Sequence, residues 1–566
     1  MLFCGLKLTH DGGVALIDDS KLIFSIEMEK IEGAKRHSKL DDFKFAFDLL
    51  EQHGYNPREV DRFIIDGWRK TEKTRLFYDQ EVHFSVAPYR LGFISSDPMR
   101  KYTGEIHDFK YESYHHYTTH AVGSYCSSPF AGVASWVLVW DGAMFPNLYY
   151  IDPSAGDQLH HVGTVSNLIG NAYHEMALRL PPFNTGATFP ETLAIPGKMM
   201  AFIARGRTRK QLVDIFRSSF VNACERFIPA RKRGDEGFYQ EALGHAILNA
   251  TLDELPSLSS FMSEDVLASW HSFIYEVMFE SLVAKIAASG KDCRRLVFCG
   301  GCALNIKWNT SLRDSQAFDE VWVPPFPNDS GSALGAAATG MVSEGGWKAL
   351  EWTVYSGPEL SGTRMLPGWK CQSCSVEELA QLIHESGEPV VVLHGRAEIG
   401  PRALGNRSII ASATQPAMKT HLNVIKRRED FRPVAPICLQ EEAAKVFDIH
   451  APDAFMVFEC GIREEWRDRI PAVAHEDFTA RVQTVSESSN IILFKLLQTY
   501  HALSGIPVLC NTSANETGRG FFASVSDAMR WGKTNFIWSE GTLYKRERPI
   551  PAPHLHRNVL TDYYSI

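Results

Sequence analysis

Apolar and polar positions come in short blocks from the first residues onward. Leu2–Leu8 is an apolar run, Asp11-Gly12-Gly13 interrupts it, Val14–Ile17 resumes it, Asp18-Asp19-Ser20 interrupts again, and Lys21–Glu27 follows. Short apolar runs parted by Asp/Gly turns predict a three-stranded antiparallel meander. From Asp42 to His53 the apolar residues Phe43, Phe45, Phe47, Leu49 and Leu50 predict a helix. The strand–turn–strand pattern returns about 130 residues later, as Val133–Trp140, Asp141-Gly142 and Leu148–Ile151. A period of that length is too long for a solenoid and predicts two related α/β subdomains.

Farther along, Glu264–Ser289 predicts a long helix, Arg295–Cys299 a strand closed by Gly300-Gly301, and Val321–Val323 another strand before a Pro-rich loop. Ala333–Met341 is a helix of small residues, which predicts close packing against a neighbour. Trp347–Gln372 is rich in Gly, Pro and Ser and marks a domain boundary, giving domains 1–358 and 359–566. The second domain opens with a helix at Val376–His384 and a strand at Val390–Leu393.

With 566 residues, 45% hydrophobic and 22% charged, the chain is long enough for more than one buried core. A net charge of −9 argues against a surface that coats nucleic acid. No apolar run reaches the ~18 residues needed to span a bilayer. The opening reads as a strand and not a secretion signal. Eleven cysteines, several inside apolar runs (Cys4, Cys299, Cys460, Cys510), fit reduced buried thiols in a cytoplasmic enzyme. The pairs Cys299/Cys302 and Cys371/Cys374 lie much farther apart than the roughly 15–20 residues of a zinc ribbon.

Four groups of residues carry candidate chemistry. His116 and His120, at i and i+4, share one face of a helix and can share a metal, or simply form part of a histidine cluster with His115, which points about 100° away. Asp141 and Asp329 both follow strands, where α/β ligand clefts open. They can complete a His₂-carboxylate site suited to Fe(II), Mn(II) or Zn(II), or act as turn formers. His10, at a strand-to-turn junction, is either a turn residue or a base near neutral pH. Finally, 395–408 (GRAEIGPRALGNRS), 423–433 (NVIKRREDFRP), 479–485 (TARVQTV) and 510–515 (CNTSAN) combine glycine turns, arginines and a hydroxyl loop. That composition predicts a pocket for a phosphate-rich small ligand.

These motifs resemble the NodU-type O-carbamoyltransferases of antibiotic and nodulation-factor biosynthesis. EIGPRALGNRSIIA, KRREDFRPVAP, ARVQTV and NTSAN carry the resemblance in the second half, and HDGG, HHYTTHA, PGKMMAF, FCGGCALN and PPFPNDSGSALGAA in the first. The opening HDGGVALI looks most like the cephem branch, beside the aminoglycoside one. The resemblance implies an α/β chain with an N-terminal actin-like (ASKHA) domain of two related subdomains, similar to tRNA threonylcarbamoyl transferase, and a C-terminal YrdC-like domain. It further implies that carbamoyl phosphate and ATP give carbamoyl adenylate and diphosphate in the second domain. The carbamoyl group then passes within the protein to the first domain, onto a hydroxyl of an antibiotic-like small molecule, with release of AMP.

Carried over by motif, His10 and Lys35 are catalytic, and His116, His120, Asp329 and Asp141 hold a divalent metal, iron by the resemblance, with Mg²⁺ accompanying the nucleotide. Arg402 or Arg407, Lys426, Arg432, Arg481, Ser513, Asn511, Lys198, Gly300, Gly301 and Asn305 bind ATP and carbamoyl phosphate. The partners implied are carbamoyl phosphate, ATP and a hydroxylated acceptor, with neither nucleic acid nor membrane. Ala201 and Ala514 stand where the family usually has Gly and Phe, and no Gly-Glu follows the Asp141-Gly142 turn. The competing readings are an actin-fold small-molecule kinase, a tRNA-modifying transferase and an ATP-binding regulator without transfer chemistry.

Overall fold

The computed structural model describes residues 1–31, 34–68, 72–77, 80–89, 97–156, 159–227 and 238–551. The chain divides into two compact units. The first is Met1–Pro358 with Glu398–Arg402, and the second is Glu359–Ala397 with Ala403–Ile566.

The first unit contains the same sheet twice. In one, the predicted meander forms from Leu2–Lys7, Gly13–Asp18 and Lys21–Glu27, and Arg62–Asp66 and Phe109–Tyr114 add parallel to its first strand. In the other, Ser135–Val139, Asn147–Ile151 and Leu159–Thr164 form the meander, and Arg295–Cys299 and Glu320–Trp322 add parallel. Across both sheets the order is third, second, first, fourth, fifth, with Tyr102–Ile106 as an extra edge strand on the first. A parallel addition needs a long crossover. In the first sheet that crossover includes the helix Phe43–Gln52, which is capped by Asp42 accepting from the Lys44 amide (2.9 Å) and buries Phe43, Ala46, Phe47, Leu49 and Leu50.

Helix His116–Cys126 follows the fifth strand of the first sheet and lies against the second sheet. Helix Ser332–Gly345 follows the fifth strand of the second sheet and packs on the first. The two helices pack on each other, and glycines on them and on the strand Leu2–Lys7 make the contacts close. A Cβ on Gly335 would lie 2.3 Å from the Thr119 carbonyl, one on Gly123 would lie 2.6 Å from the Gly335 Cα, and one on Gly5 would lie 2.0 Å from the Ala333 carbonyl. This is the close packing that the small-residue run predicts. Gly335→Ala forces backbones apart in a filled core and is expected to cost about 1–3 kcal/mol, read as a lower denaturation midpoint. An unchanged midpoint would show that the contact can relax freely.

The second unit is built on an eight-stranded mixed sheet. Its order is Trp369–Ser373, Thr542–Arg546, Phe536–Ser539, Val390–Leu393, Arg407–Ser412, Val508–Ser513, Ala435–Leu439, Gln483–Val485. Helix Val376–Ser386, opened by a reciprocal Ser375/Glu378 cap, packs with helix Ile491–Ser504. The stretch expected to be irregular up to Gln372 ends in the edge strand Trp369–Ser373. It buries only Trp369, so no alternation announced it.

The division is also less simple than a single boundary at 358. Glu398–Arg402 groups with the first unit because a buried ion pair grips its backbone. Lys30 Nζ, 2.6 Å from Glu27 Oε1, donates to the carbonyls of Glu398 (2.5 Å) and Gly400 (2.7 Å), and the Gly400 amide donates to Glu27 (2.6 Å). Among the described residues no helix is long and apolar enough to cross a membrane.

Candidate active sites

In the first unit the parallel pairing of Leu2–Lys7 with Arg62–Asp66 runs to Leu6↔Ile65, which leaves Lys7 and Asp66 side by side at the strand ends. Lys7 Nζ is 2.8 Å from Asp66 Oδ2 and 2.9 Å from Asp329 Oδ2, and its side chain is 1% exposed. Asp66 also accepts from Thr119 Oγ1 (2.6 Å) and from His116 Nδ1 (2.8 Å). Burial alone would raise the Asp66 carboxyl, but His116 and Lys7 outweigh it and hold it at about 2. An ionised Asp66 fixes the proton of His116 on Nδ1 and turns Nε2 toward the other ligands, an arrangement common behind metal-bound histidines.

His116 and His120, one turn apart on the predicted helix, bring their Nε2 atoms within 3.1 Å. Asp329 Oδ1 lies 3.3 Å from His116 Nε2 and 3.5 Å from His120 Nε2, and Asp141 Oδ2 lies 3.9 Å from His116 Nε2. All four ligand atoms fall within 4.8 Å of one another. First-row cations bind such atoms at about 2.0–2.2 Å, which spaces neighbouring ligands ~3–3.5 Å apart. The donor set therefore fits a divalent cation of the iron, manganese or zinc kind. Asp141 is held by the Gly301 amide (2.8 Å) and the Tyr89 hydroxyl (2.8 Å), and Tyr89 stacks on His116. Burial works to raise the Asp329 carboxyl, yet Lys7, His116 and His10 hold it well below the carboxylate range. His115 turns away and bonds the Pro88 carbonyl (3.0 Å), as the helical spacing predicts.

His10 flanks this cluster, its Nδ1 3.7 Å from Asp329 Oδ2 and 2.9 Å from Asp11 Oδ2. Its ring lies edge-to-face with Trp68 and with Phe189. Lys35 is exposed on the segment that follows, its carbonyl taking the Ser38 hydroxyl (2.6 Å). Lys198, Gly300, Gly301 and Asn305 also belong to the first unit and not to the unit holding the arginine cluster. Gly300, at φ +89°, has the Trp140 carbonyl 2.4 Å from where a Cβ would stand, Gly301 donates to Asp141, and Asn305 caps the helix Ile306–Asp314. The Cys299 thiol is buried and donates to the His120 carbonyl (3.5 Å).

The second unit gathers the arginine-rich motifs at one end of four neighbouring strands. Ser408 pairs with Ser513, Ala435 with Asn511 and Ile437 with Gln483, so Arg407, Ser513, Arg432 and Arg481 all sit at that end. Their side chains differ in what they do. Arg407 is buried and donates to the carbonyls of His394 (2.8 Å), Asn406 (2.9 Å) and Gly395 (3.0 Å), so it holds the loop together. Lys426 donates to the carbonyls of Ser513 (2.7 Å) and Asn515 (2.5 Å). Asn511 donates to the Ala403 carbonyl (3.0 Å), and Arg428 reaches Thr512 Oγ1 (3.0 Å).

Arg481 is different. Its buried Nε makes no hydrogen bond among the described residues. Burial, and after it the neighbouring Arg432 charge, pull its guanidinium down to about 10, and Asp453 offsets this only in part. Arg402, expected here, groups with the first unit. Sequence reasoning missed Lys7, Asp66, Tyr89 and Asp11. The signal for the first two was a lone charge closing each apolar strand, FCGLK and FIID.

The family model described as carbamoyltransferase N-terminus matches residues 2–338, and carbamoyltransferase C-terminus matches residues 380–537. Nodulation protein U of Rhizobium tropici is 42% identical over 562 residues, 97% of this chain and 96% of that protein. The 3'-hydroxymethylcephem-O-carbamoyltransferase of Streptomyces clavuligerus is 32% identical over 559 residues, covering 96% and 99%. Whole-chain identity thus favours the nodulation relatives over the cephem branch that the opening motif suggested, because a short turn motif samples little of the chain. With both family models matched in order and relatives aligned along nearly its full length, the chain belongs to the carbamoyltransferase family.

Proposed function

We propose that the chain is an ATP-dependent O-carbamoyltransferase with two centres of different chemistry. The observation that carries this reading is the Arg481 guanidinium of the second unit, whose buried Nε bonds nothing among the described residues, while the His/Asp cluster belongs to the first unit. A half-buried guanidinium with an unsatisfied Nε, whose neighbouring Arg432 charge is only partly offset by Asp453, suits an anion that arrives from outside.

In the second unit, carbamoyl phosphate loses its phosphoryl group to water as orthophosphate. The resulting carbamate oxygen attacks the α-phosphorus of ATP, and the bond to diphosphate breaks, leaving carbamoyl adenylate. Arg481, Arg432 and the Ser513 loop hold the phosphate oxygens through these steps. The doubled sheet of the first unit supports its reading as the actin-like transfer domain, and the second unit takes the YrdC-like role.

In the first unit, His10 Nε2 accepts the proton of an acceptor hydroxyl. The oxygen attacks the carbamoyl carbon, the bond to the AMP phosphate breaks with its electron pair leaving on AMP, and His10 returns its proton to solvent. His116, His120, Asp141 and Asp329 would hold a divalent cation that supplies Lewis acidity when bound. The relatives' names point to a small natural product bearing a hydroxyl, the cephem enzyme's being a hydroxymethyl group.

The test is incubation with ATP and carbamoyl phosphate. Diphosphate and carbamoyl adenylate are expected, whereas ADP alone would identify a kinase. His10→Ala is expected to keep first-turnover diphosphate release and to slow carbamoyl delivery ~10²–10⁴-fold, the usual worth of a general base. Equal loss of both activities would merge the two centres into one.

A further inference from the structure

Beside the cation cluster, one carboxylate serves two imidazoles. Asp11 Oδ2 is 2.9 Å from His10 Nδ1, and Asp11 Oδ1 is 2.7 Å from His37 Nδ1. Asp11 is buried, and its bonds to the two rings outweigh burial and keep it ionised. An ionised carboxylate only accepts, so both Nδ1 atoms carry the proton, and in the neutral ring of His10 the nitrogen left to accept a proton is Nε2.

The backbone is bent to make this possible. Asp11 (φ +52°) and His37 (φ +59°) both occupy the left-handed region, which is uncommon outside glycine and gathers at functional sites. The two turns are also tied by the Gly12 amide donating to the Ser38 carbonyl (2.8 Å), and a Cβ on Gly12 would stand 2.4 Å from the Leu40 nitrogen. The His37 amide is anchored on Glu29 Oε2 (3.0 Å).

We infer that His37 is a positioning residue for carbamoyl transfer: it pins the second oxygen of Asp11, and through Asp11 it fixes the plane and tautomer of His10. This rests on the proposed reading of His10 as the base. A carboxylate bonded at one oxygen can rotate, whereas one bonded at both cannot. Nδ1 of His10 must keep its proton on Asp11 while Nε2 takes the acceptor's proton. No proton crosses Asp11, and His37 touches neither acceptor nor adenylate.

The experiment uses the full chain with ATP and carbamoyl phosphate, with methanol and 3-hydroxymethylcephem as hydroxyl probes. Carbamate ester is measured by mass spectrometry and diphosphate in the first turnover. His37→Ala is expected to lower kcat for transfer ~10–100-fold, the scale of an orienting partner. The KM for the probe and the first-turnover diphosphate should stay unchanged. His37→Asn, whose side-chain amide can still donate to Asp11, should restore most of the rate. In a His10→Ala background, His37→Ala should have no further effect, because its target is gone.

The inference is overturned if His37→Ala slows the His10→Ala enzyme by the same factor, if His37→Asn fails to rescue, or if KM rises in place of a fall in kcat. A wild-type enzyme that makes adenylate but carbamoylates neither probe removes the His10 reading and this inference with it. One that makes no adenylate removes the proposed function itself.

Discussion

Arg481→Met will slow carbamoyl adenylate formation ~10²–10³-fold while leaving the protein without ligand at least as stable as wild type. The two halves of this result have one cause. Arg481 is a half-buried cation whose Nε has no acceptor among the described residues, and the Arg432 charge weighs on it more than Asp453 relieves it. Asp453, the anion in range, spends its carboxylate on the amides of Phe455, Val457 and Phe458 (2.9–3.0 Å). A cation with its Nε buried and unsatisfied, next to a like charge, opposes folding, and a methionine of similar length fills the same space without a charge to satisfy. The same guanidinium is what a crowded phosphate needs, and removing one preorganised donor at such a site costs ~10²–10³-fold in rate. Diphosphate release should fall by that factor and the thermal midpoint should hold or rise. Wild type should also gain thermal stability from added diphosphate, a gain that the Met variant loses. Arg481→Lys keeps the charge without the planar fork and should recover only part of the rate. A Met variant that loses stability in step with activity would make Arg481 a fold residue.

The sequence patterns went far in this molecule wherever a feature is local. The apolar blocks marked the first meander, the long helix Ser263–Ser289 and the strand Val390–Leu393 within a residue or so, and the first two strands of the second meander within about two residues, but not its third strand Leu159–Thr164. The pairing of His116 with His120 is likewise local, being one helical turn. What the pattern could not carry is register between distant strands. Lys7 meets Asp66 only because Leu6 pairs with Ile65, and nothing in either segment names its partner. Arg407 and Arg481 read alike as cations in glycine-rich motifs. The fold turns one toward loop carbonyls and leaves the Nε of the other without an acceptor among the described residues, a difference of side-chain direction rather than composition. The interval Glu398–Arg402 lies in the second half of the chain yet belongs to the first unit, since the grip on it is exerted by Lys30 and Glu27, nearly 370 residues earlier.

Asp329→Asn will remove carbamoyl transfer and the bound cation together, and it will leave adenylate formation in place. Asp329 has the most demands on it of any residue in the cluster. Oδ1 faces both histidine Nε2 atoms, and Oδ2 faces Lys7 at 2.9 Å and His10 at 3.7 Å. Asparagine keeps the shape and loses the charge. One anionic ligand disappears, and Lys7 keeps only Asp66 as a close counter-ion, which weakens a buried pair. First-row metal retained after purification should drop from about one ion per chain to under ~10% of that, as expected when a ligand rather than an outer contact is lost. Transfer should fall with it, while first-turnover diphosphate, which the proposed reading assigns to the other unit, should not. His120→Gln separates loss of metal from loss of fold, because it removes a ligand without touching Lys7. It should reproduce the metal and transfer losses with a smaller change in thermal midpoint. His10→Ala is expected to give the opposite signature, full metal content with transfer slowed ~10²–10⁴-fold. If the purified wild type carries no first-row metal and Asp329→Asn keeps its transfer rate, the His/Asp cluster is a structural ion-pair network around Lys7, and the chemistry of transfer must then rest on His10 and its carboxylate alone.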